Sequence, residues 1–346
     1  MLNKLLRINR KITSVFRLPS PYPLPNGRGV CGEVIFRSIL SVAVLLAGFL
    51  RAEAADRPAG RVLFIGIDGC RRDALEAGKL PQLRSLIDGG ALSVATNIVG
   101  TREDKADTVS GPGWSNLLTG VWADKHGVLD NKFKSPHYQE FPHFFRHVKE
   151  VFPAAYTCSY CTWEPIEKLI LSAADDSHFF SAGSKDPQYQ AADEKCAAKA
   201  AEVLNDGDPD VMFVYLGNVD ETGHKKGFHP SVPEYMQALQ AVDTQIGTIL
   251  AALHERPRYQ DENWLVLVST DHGGRGTNHG GGRSQNEVNT VFLIVSGDAA
   301  IRGPIEGRTD QVDVVATALA HLGVPLKLEW KLDGRAVGLK KTLATQ

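Results

Sequence analysis

Three aspartates stand just beyond apolar runs. Asp68 directly follows RVLFIGI, Asp220 comes four residues after VMFVYL, and Asp271 directly follows WLVLVST. Imidazoles accompany them: His224 lies four residues after Asp220, one helical turn on, His272 adjoins Asp271, and His279 follows seven residues later. An aspartate after a strand is often only a helix cap, and a lone histidine is usually structural. Their joint occurrence reads differently. Buried carboxylates that converge repel one another unless something cationic lies among them. Three Asp and three His make two sites of mixed oxygen and nitrogen ligation, which suits two divalent ions, Zn²⁺ first and Mn²⁺ as the alternative.

A second feature supplies a group for such ions to act with. Residues 110–120, SGPGWSNLLTG, read as a helix start, with Ser110 near the cap and Pro112 in the first turn. Ser110 is then either an N-cap or a nucleophile at a helix N-terminus, where the dipole and free N–H groups favour an incoming anion and a metal lowers the hydroxyl pKa. Trp114, one turn on, either stacks on a base or aryl group or packs in the core. Arg102, Lys125 and Lys132 lie near these segments, as solvated surface charge or as contacts to a substrate anion.

The elements that must position these residues follow from the apolar patterning. Residues 61–67, 211–216, 264–270 and 291–296 are continuous apolar runs that predict buried strands, and 155–159 predicts another. Helical patterns cover 80–88, 141–151, 189–204, 232–256 and 309–322. Buried strands separated by helices imply an α/β fold, a mainly parallel central sheet with helices on both faces. No repeat or low-complexity linker interrupts the pattern, so residues 55–346 read as a single domain. In such sheets ligands bind beyond the carboxyl ends of the strands, where the three aspartates stand.

With these residues in hand, the chain resembles the alkaline phosphatase superfamily, and within it the type I phosphodiesterase/nucleotide pyrophosphatase family. VLFIGIDG (62–69) resembles the family's first ligand strand. Ser110-Gly111-Pro112, nine residues before Thr119-Gly120, resembles its nucleophile segment, with Ser where Thr is more usual. His126-Gly127 with Asn131 resembles His-Gly-x-x-x-Asn, Asp220 and His224 match Asp-x-x-x-His, and Asp271-His272-Gly273 matches Asp-His-Gly. His279 falls on the final ligand and Leu332-Asp333-Gly334-Arg335 resembles the C-terminal tail. The resemblance spans about residues 61–338 and implies an alkaline-phosphatase-like fold. It implies that Asp68, Asp271 and His272 hold the metal that contacts Ser110, and that Asp220, His224 and His279 hold the other. Ser110 would be the nucleophile and Asn131 the donor to a phosphoryl oxygen. The implied activity is hydrolysis of phosphodiesters, nucleotide-type substrates among them, through a phospho-serine intermediate. A phosphomonoesterase and a noncatalytic binder of metal or phosphate ester are the competing readings. A sulfatase is a weaker one, because Trp114 stands where a sulfatase's conversion motif has Arg.

Composition bounds the rest. The 346 residues, 43% hydrophobic and 23% charged, are ordinary for a globular chain. Residues 1–55 hold eight Lys/Arg and two Asp/Glu, so the remaining 30 basic and 38 acidic residues carry a net charge of −8. That argues against binding a nucleic-acid polymer or an anionic membrane; a small phosphate-ester substrate is what the resemblance implies. The uncharged run 38–50 follows Arg37 and precedes Ala52-Glu53-Ala54, the order of a secretory signal peptide. Its 13 residues would rise only about 20 Å as a helix, too little for a ~30 Å hydrocarbon core, so no stable membrane span is expected. Residues 1–54 are therefore read as a leader and the mature protein as periplasmic or secreted; a buried helix or short anchor is the alternative. Cys70, Cys158, Cys161 and Cys196 would remain, as structural bridges or buried thiols rather than a redox pair. Nothing in the sequence addresses oligomeric state.

Overall fold

The computed structural model describes residues 56–102, 105–183 and 188–340; the leader expected over residues 1–54 lies outside them. In chain order the main elements are β1 (Gly60–Ile67), α1 (Arg72–Ala77), α2 (Pro81–Asp88), β2 (Gly90–Asn97), α3 (Ser110–Thr119), α4 (Ala123–His126), α5 (Phe144–Val151), β3 (Thr157–Cys161) and β4 (Asp176–Phe179). They continue with α6 (Tyr189–Asp206), β5 (Val211–Leu216), α7 (Asn218–Lys226), α8 (Pro233–His254), β6 (Asn263–Ser269), α9 (Asn286–Asn289), β7 (Thr290–Ser296), β8 (Gly303–Pro304), β9 (Thr309–Asp310) and α10 (Asp313–His321).

The strands form one sheet in the order β4-β3-β5-β1-β6-β7-β2-β8, with β9 also on β2. β7 runs antiparallel to both of its neighbours, and the other pairings are parallel. The apolar runs are continuous because both faces are covered. Along β1, Leu63, Ile65 and Ile67 join a core with α1, α2, α6 and α8, while Val62 and Phe64 face α3, α5 and α10. Along β5, Met212, Val214 and Leu216 alternate with Val211, Phe213 and Tyr215 in the same way.

Strands β5, β1 and β6 are immediate neighbours and parallel. Their carboxyl ends therefore lie side by side; the turns after β1 and β6 carry Asp68 and Asp271, and the first turn of the helix after β5 carries Asp220. The sheet order thus juxtaposes residues some two hundred positions apart.

The structure departs from the sequence pattern at several places. Strand β2 has no unbroken apolar run, because Ser93 and Thr96 are buried. Each hydroxyl pairs at 2.7 Å with the Thr309 hydroxyl, so hydrogen bonds there replace apolar contact. This pairing commits Thr309–Asp310 to β9, and the helix expected over 309–322 begins at Asp313. All four cysteines are buried free thiols. Cys158 and Cys161 lie on one strand three residues apart, so they face opposite sides of the sheet and join different cores.

Candidate metal and phosphoryl site

Asp68 extends the β1 ladder by one bond, its N–H donating to the Leu216 carbonyl at 3.0 Å. The carboxylate is buried. Its Oδ2 accepts from the Trp114 indole at 2.9 Å and the Tyr215 hydroxyl at 2.5 Å, while Oδ1 has no hydrogen-bond partner. The next residue, Gly69, has φ +65, and a Cβ there would sit 2.6 Å from Asp220 Oδ1. Only glycine lets the chain turn left-handed with a carboxylate pressed against it. The Gly69 N–H donates to Asp271 Oδ1 at 3.2 Å, leaving Asp271 Oδ2 without a partner.

Helix α7 presents Asp220 and His224 on one face. Its start is held by Asp193 of α6, whose buried carboxylate accepts from Gly217 N at 3.0 Å, Asn218 N at 2.9 Å and the Thr162 hydroxyl at 2.7 Å. Asp193 thus caps a helix distant in sequence. His279 is gripped by Thr108: its Nδ1 donates to the Thr108 carbonyl at 2.8 Å, and the Thr108 hydroxyl donates to the His279 carbonyl at 2.6 Å.

Each of the three imidazoles donates Nδ1–H to a backbone carbonyl: His272 to Gly273 (2.9 Å), His279 to Thr108 (2.8 Å) and His224 to Thr277 (3.0 Å). A carbonyl can only accept, so each Nε2 is left with a lone pair directed at the same region, the arrangement of ligating histidines. His272 Nε2 lies 3.0 Å from Asp271 Oδ2 and 3.7 Å from Asp68 Oδ1. His224 and His279 bring their Nε2 atoms to 3.0 Å from each other and to 3.4 and 3.6 Å from Asp220. Two lone pairs at that separation repel unless a positive charge lies between them. The potential ligand atoms of Asp68, Asp271 and His272 all lie within 4.8 Å of one another, as do those of Asp220, His272 and His279. His272 and His279 stack with centroids 3.6 Å apart, so the two groups are contiguous.

The electrostatics carry the same demand. Burial, reinforced by Asp271, pushes the Asp68 carboxyl up to about 7, and burial and Asp68 push Asp220 well above the usual carboxylate range. Burial would depress His272, but Asp271, Asp68 and Asp220 by themselves outweigh it and raise the imidazole to about 10, so that Nε2 attracts a proton at the place where a metal ion would instead take its lone pair. One aspartate oxygen on each of Asp68, Asp220 and Asp271 is buried and unpartnered. Orphaned carboxylate oxygens are costly, and lone-pair imidazoles beside them fit divalent cations.

Ser110 opens α3, but the N-cap position is Val109, and the Ser110 hydroxyl caps none of the helix's own N–H groups. The Ser110 hydroxyl is buried and lies 3.5 Å from His272 Nε2, beside the Asp68 and Asp271 group. Asn131 accepts from Gly111 N–H with its Oδ1 at 2.6 Å, so its NH₂ end is the free one. The six candidate ligands, Ser110 and Asn131 therefore lie around the N-terminus of α3 and the ends of β1, β5 and β6. Trp114 is wholly buried and serves Asp68, which removes it as a stacking platform. Arg102 and Lys125 contact no site residue: both bind Asp333, and Arg102 also binds Asp124. They tie the tail to Trp122, whose N–H also donates to Asp333. Trp114, Tyr215, Asp193 and Thr108 support the ligands without having been singled out for it. Tyr215 alone had a visible signal, as the one hydroxyl in an apolar strand.

A mainly parallel sheet with buried aspartates at three adjacent strand ends, and a buried hydroxyl opening a helix beside them, defines an alkaline-phosphatase-like protein. Solved structures share the fold: murine ectonucleotide pyrophosphatase/phosphodiesterase 5 (TM-score 0.59, 15% identity, 77% of this chain and 96% of that one) and the 2-O GAG sulfatase BT1596 (TM-score 0.63, 14% identity, 81% and 73%). The chain belongs to the type I phosphodiesterase/nucleotide pyrophosphatase family, whose model matches residues 62–301. Among curated relatives, the catalytic subunit of Homo sapiens GPI ethanolamine phosphate transferase 2 is 30% identical over 142 residues, 40% of this chain and 14% of that protein. Phosphopentomutase of Methylobacterium sp. (strain 4-46) is 33% identical over 138 residues, 39% and 31%. The chain thus spans less than a third of the length of these two relatives.

Proposed function

We propose that this protein is a metal-dependent hydrolase of small phosphodiesters that works through a phospho-Ser110 intermediate. The observation that carries the reading is the Ser110 hydroxyl, excluded from capping and set 3.5 Å from His272 Nε2 beside the orphaned Asp68 and Asp271 oxygens. Asp68, Asp271 and His272 would hold one divalent ion and Asp220, His224 and His279 a second, Zn²⁺ or Mn²⁺ by donor type. Such ions lower the pKa of a bound hydroxyl and neutralise charge on phosphoryl and leaving oxygens.

Ser110 Oγ, having given up its proton, attacks phosphorus as the opposite P–O ester bond breaks and the leaving oxygen takes up a proton; water then adds to phosphorus as the P–Oγ bond breaks, its proton returning to Ser110, with net retention at phosphorus. The N-terminus of α3 favours the anion. Asn131 donates its NH₂ to a nonbridging oxygen as charge builds, a contribution of about 3 kcal/mol for such a donor. A monoester brings an additional negative charge. Arg102 and Lys125 are already committed to Asp124 and Asp333, which supports a diester over a monoester. Trp163 stacks on Tyr215 with centroids 6.3 Å apart, and Phe133, two residues after Asn131, lies 5.9 Å from Trp163. This aromatic series beside the site suits a planar base or aryl group. Murine ectonucleotide pyrophosphatase/phosphodiesterase 5 has been solved with AMP, which supports a nucleotide-type diester. The signal-peptide-like order of residues 37–54 supports an exported enzyme, and no helix among the described residues is long and apolar enough to cross a membrane.

The test is the ratio of kcat/KM for bis-p-nitrophenyl phosphate to that for p-nitrophenyl phosphate in metal-loaded protein. A ratio above one supports the diesterase, a ratio below one the monoesterase. No turnover of either with metal bound would leave the binding-protein reading.

A further inference from the structure

Four buried polar side chains outside the ligand set form a chain whose direction is fixed at every link. Val128 N–H donates to His126 Nδ1 at 3.1 Å, so His126 carries its proton on Nε2, which donates to Asn116 Oδ1 at 2.9 Å. The Asn116 NH₂ then donates to Gln311 Oε1 at 3.1 Å. The Gln311 NH₂ donates to the carbonyls of Thr270 at 3.0 Å and Asp271 at 2.6 Å. Thr270 completes the series, its hydroxyl accepting from Cys70 N–H and donating to the His272 carbonyl, each at 3.0 Å. His126, Gln311 and Thr270 are wholly buried and Asn116 nearly so.

The two ends have separate functions under the reading above. Val128 belongs to the turn leading to Asn131, and Asp271 is a ligand whose main chain has no strand partner beyond Ser269. Gln311 meets this ligand turn with both amide protons, while its carbonyl end is held by the helix that Ser110 opens. We infer that Gln311 is a positioning residue. It fixes the Thr270–His272 turn against α3, so that Asp271 and His272 are held ready for a cation at a set place beside Ser110. Asn116 and His126 orient Gln311, since a flipped carboxamide would set its oxygen against the Thr270 and Asp271 carbonyls and its NH₂ against that of Asn116.

The inference rests on the metal reading of Asp271 and His272, and its test separates the two. Gln311→Met keeps the length and removes both donors. The readout is Zn²⁺ or Mn²⁺ affinity by competition titration, without substrate, beside thermal unfolding and kcat and KM for bis-p-nitrophenyl phosphate. Gln311→Met is expected to bind metal about 10- to 100-fold more weakly, with kcat reduced at saturating metal and KM little changed. Asn116→Ser leaves both Gln311 donors in place and unpins its carbonyl; it should move affinity in the same direction by less, and it carries the test if Gln311→Met does not fold. Wild-type affinity in both folded variants, or in Asn116→Ser where only that one folds, overturns the positioning role. Failure of the wild-type protein itself to bind either ion overturns the metal reading instead.

Discussion

The indole nitrogen of Trp114 donates to Asp68 Oδ2 at 2.9 Å from a ring with no solvent exposure, bringing helix α3 and the first strand to one carboxylate. The ring fits because β1 carries glycine opposite it: a Cβ on Gly66 would lie 2.4 Å from the indole. With Tyr215 the indole occupies one face of Asp68, so Oδ1 alone is left for a cation. Trp114→Phe keeps most of the packing and removes one donor to a buried carboxylate. We expect metal affinity to fall about tenfold and stability to fall by about 2 kcal/mol, read by competition titration and urea unfolding. Unchanged affinity in the folded variant would show that the indole serves packing alone.

Ser110→Ala separates catalysis from folding unusually well. The hydroxyl caps nothing, so its removal should change stability by less than about 0.5 kcal/mol and leave metal content unaltered. Turnover should fall to background and no phospho-enzyme should be trapped by acid quench. Turnover within tenfold of wild type would remove Ser110 from the nucleophile position.

What the sequence makes legible here is local. Asp68 and Asp271 stand out because an apolar run ends in a carboxylate, and Asp220 with His224 because four residues make one helical turn. The supporting residues have no such local signature. Trp114 reaches Asp68 across 46 positions, Asp193 reaches Gly217 across 24, and Gln311 reaches Asp271 across 40. Each pairing exists only because the sheet order places those segments together. Strand β2 was hidden for a related reason, since the buried Ser93 and Thr96 hydroxyls look polar until Thr309 arrives to satisfy them. Arg102 and Lys125 read as candidate anion contacts because their partner Asp333 lies more than 200 residues away.

Asp193 tests how far the Asp220–His224 pair, proposed to hold the second ion, depends on a remote cap. Its carboxylate satisfies Gly217 N–H, Asn218 N–H and the Thr162 hydroxyl. Asp193→Ala leaves those donors buried and frees the start of α7, two residues before Asp220. The expected cost is about 3 kcal/mol, with faster amide exchange at 217–221 and weaker binding of a second metal equivalent. Loss of stability with unaltered exchange at α7 would place the effect in the core rather than at the helix.

The acid limb of stability should be set largely by buried histidines away from the ligands. Burial holds His126 and His143 down to about 3 and His147 to about 4, from an ordinary value of 6.5. The unfolded chain therefore takes up protons near pH 6.5 while the folded protein does not. Their contribution is fully present above pH 6.5 and is lost as pH falls towards 4, by about 1.4 kcal/mol per pH unit for each histidine. His143 is the sharpest case, because both ring nitrogens are buried without a hydrogen-bond partner and the ring packs edge-on against Phe145. Replacing it with an apolar ring removes both the orphaned nitrogens and the titration. His143→Phe should raise stability by about 1 kcal/mol at pH 7 and by a further ~1 kcal/mol or more at pH 5.5. Urea midpoints for wild type and variant at pH 7, 6 and 5.5 check this. A His143→Phe midpoint below wild type, with an undiminished pH slope, would mean that the folded protein satisfies this imidazole by another route.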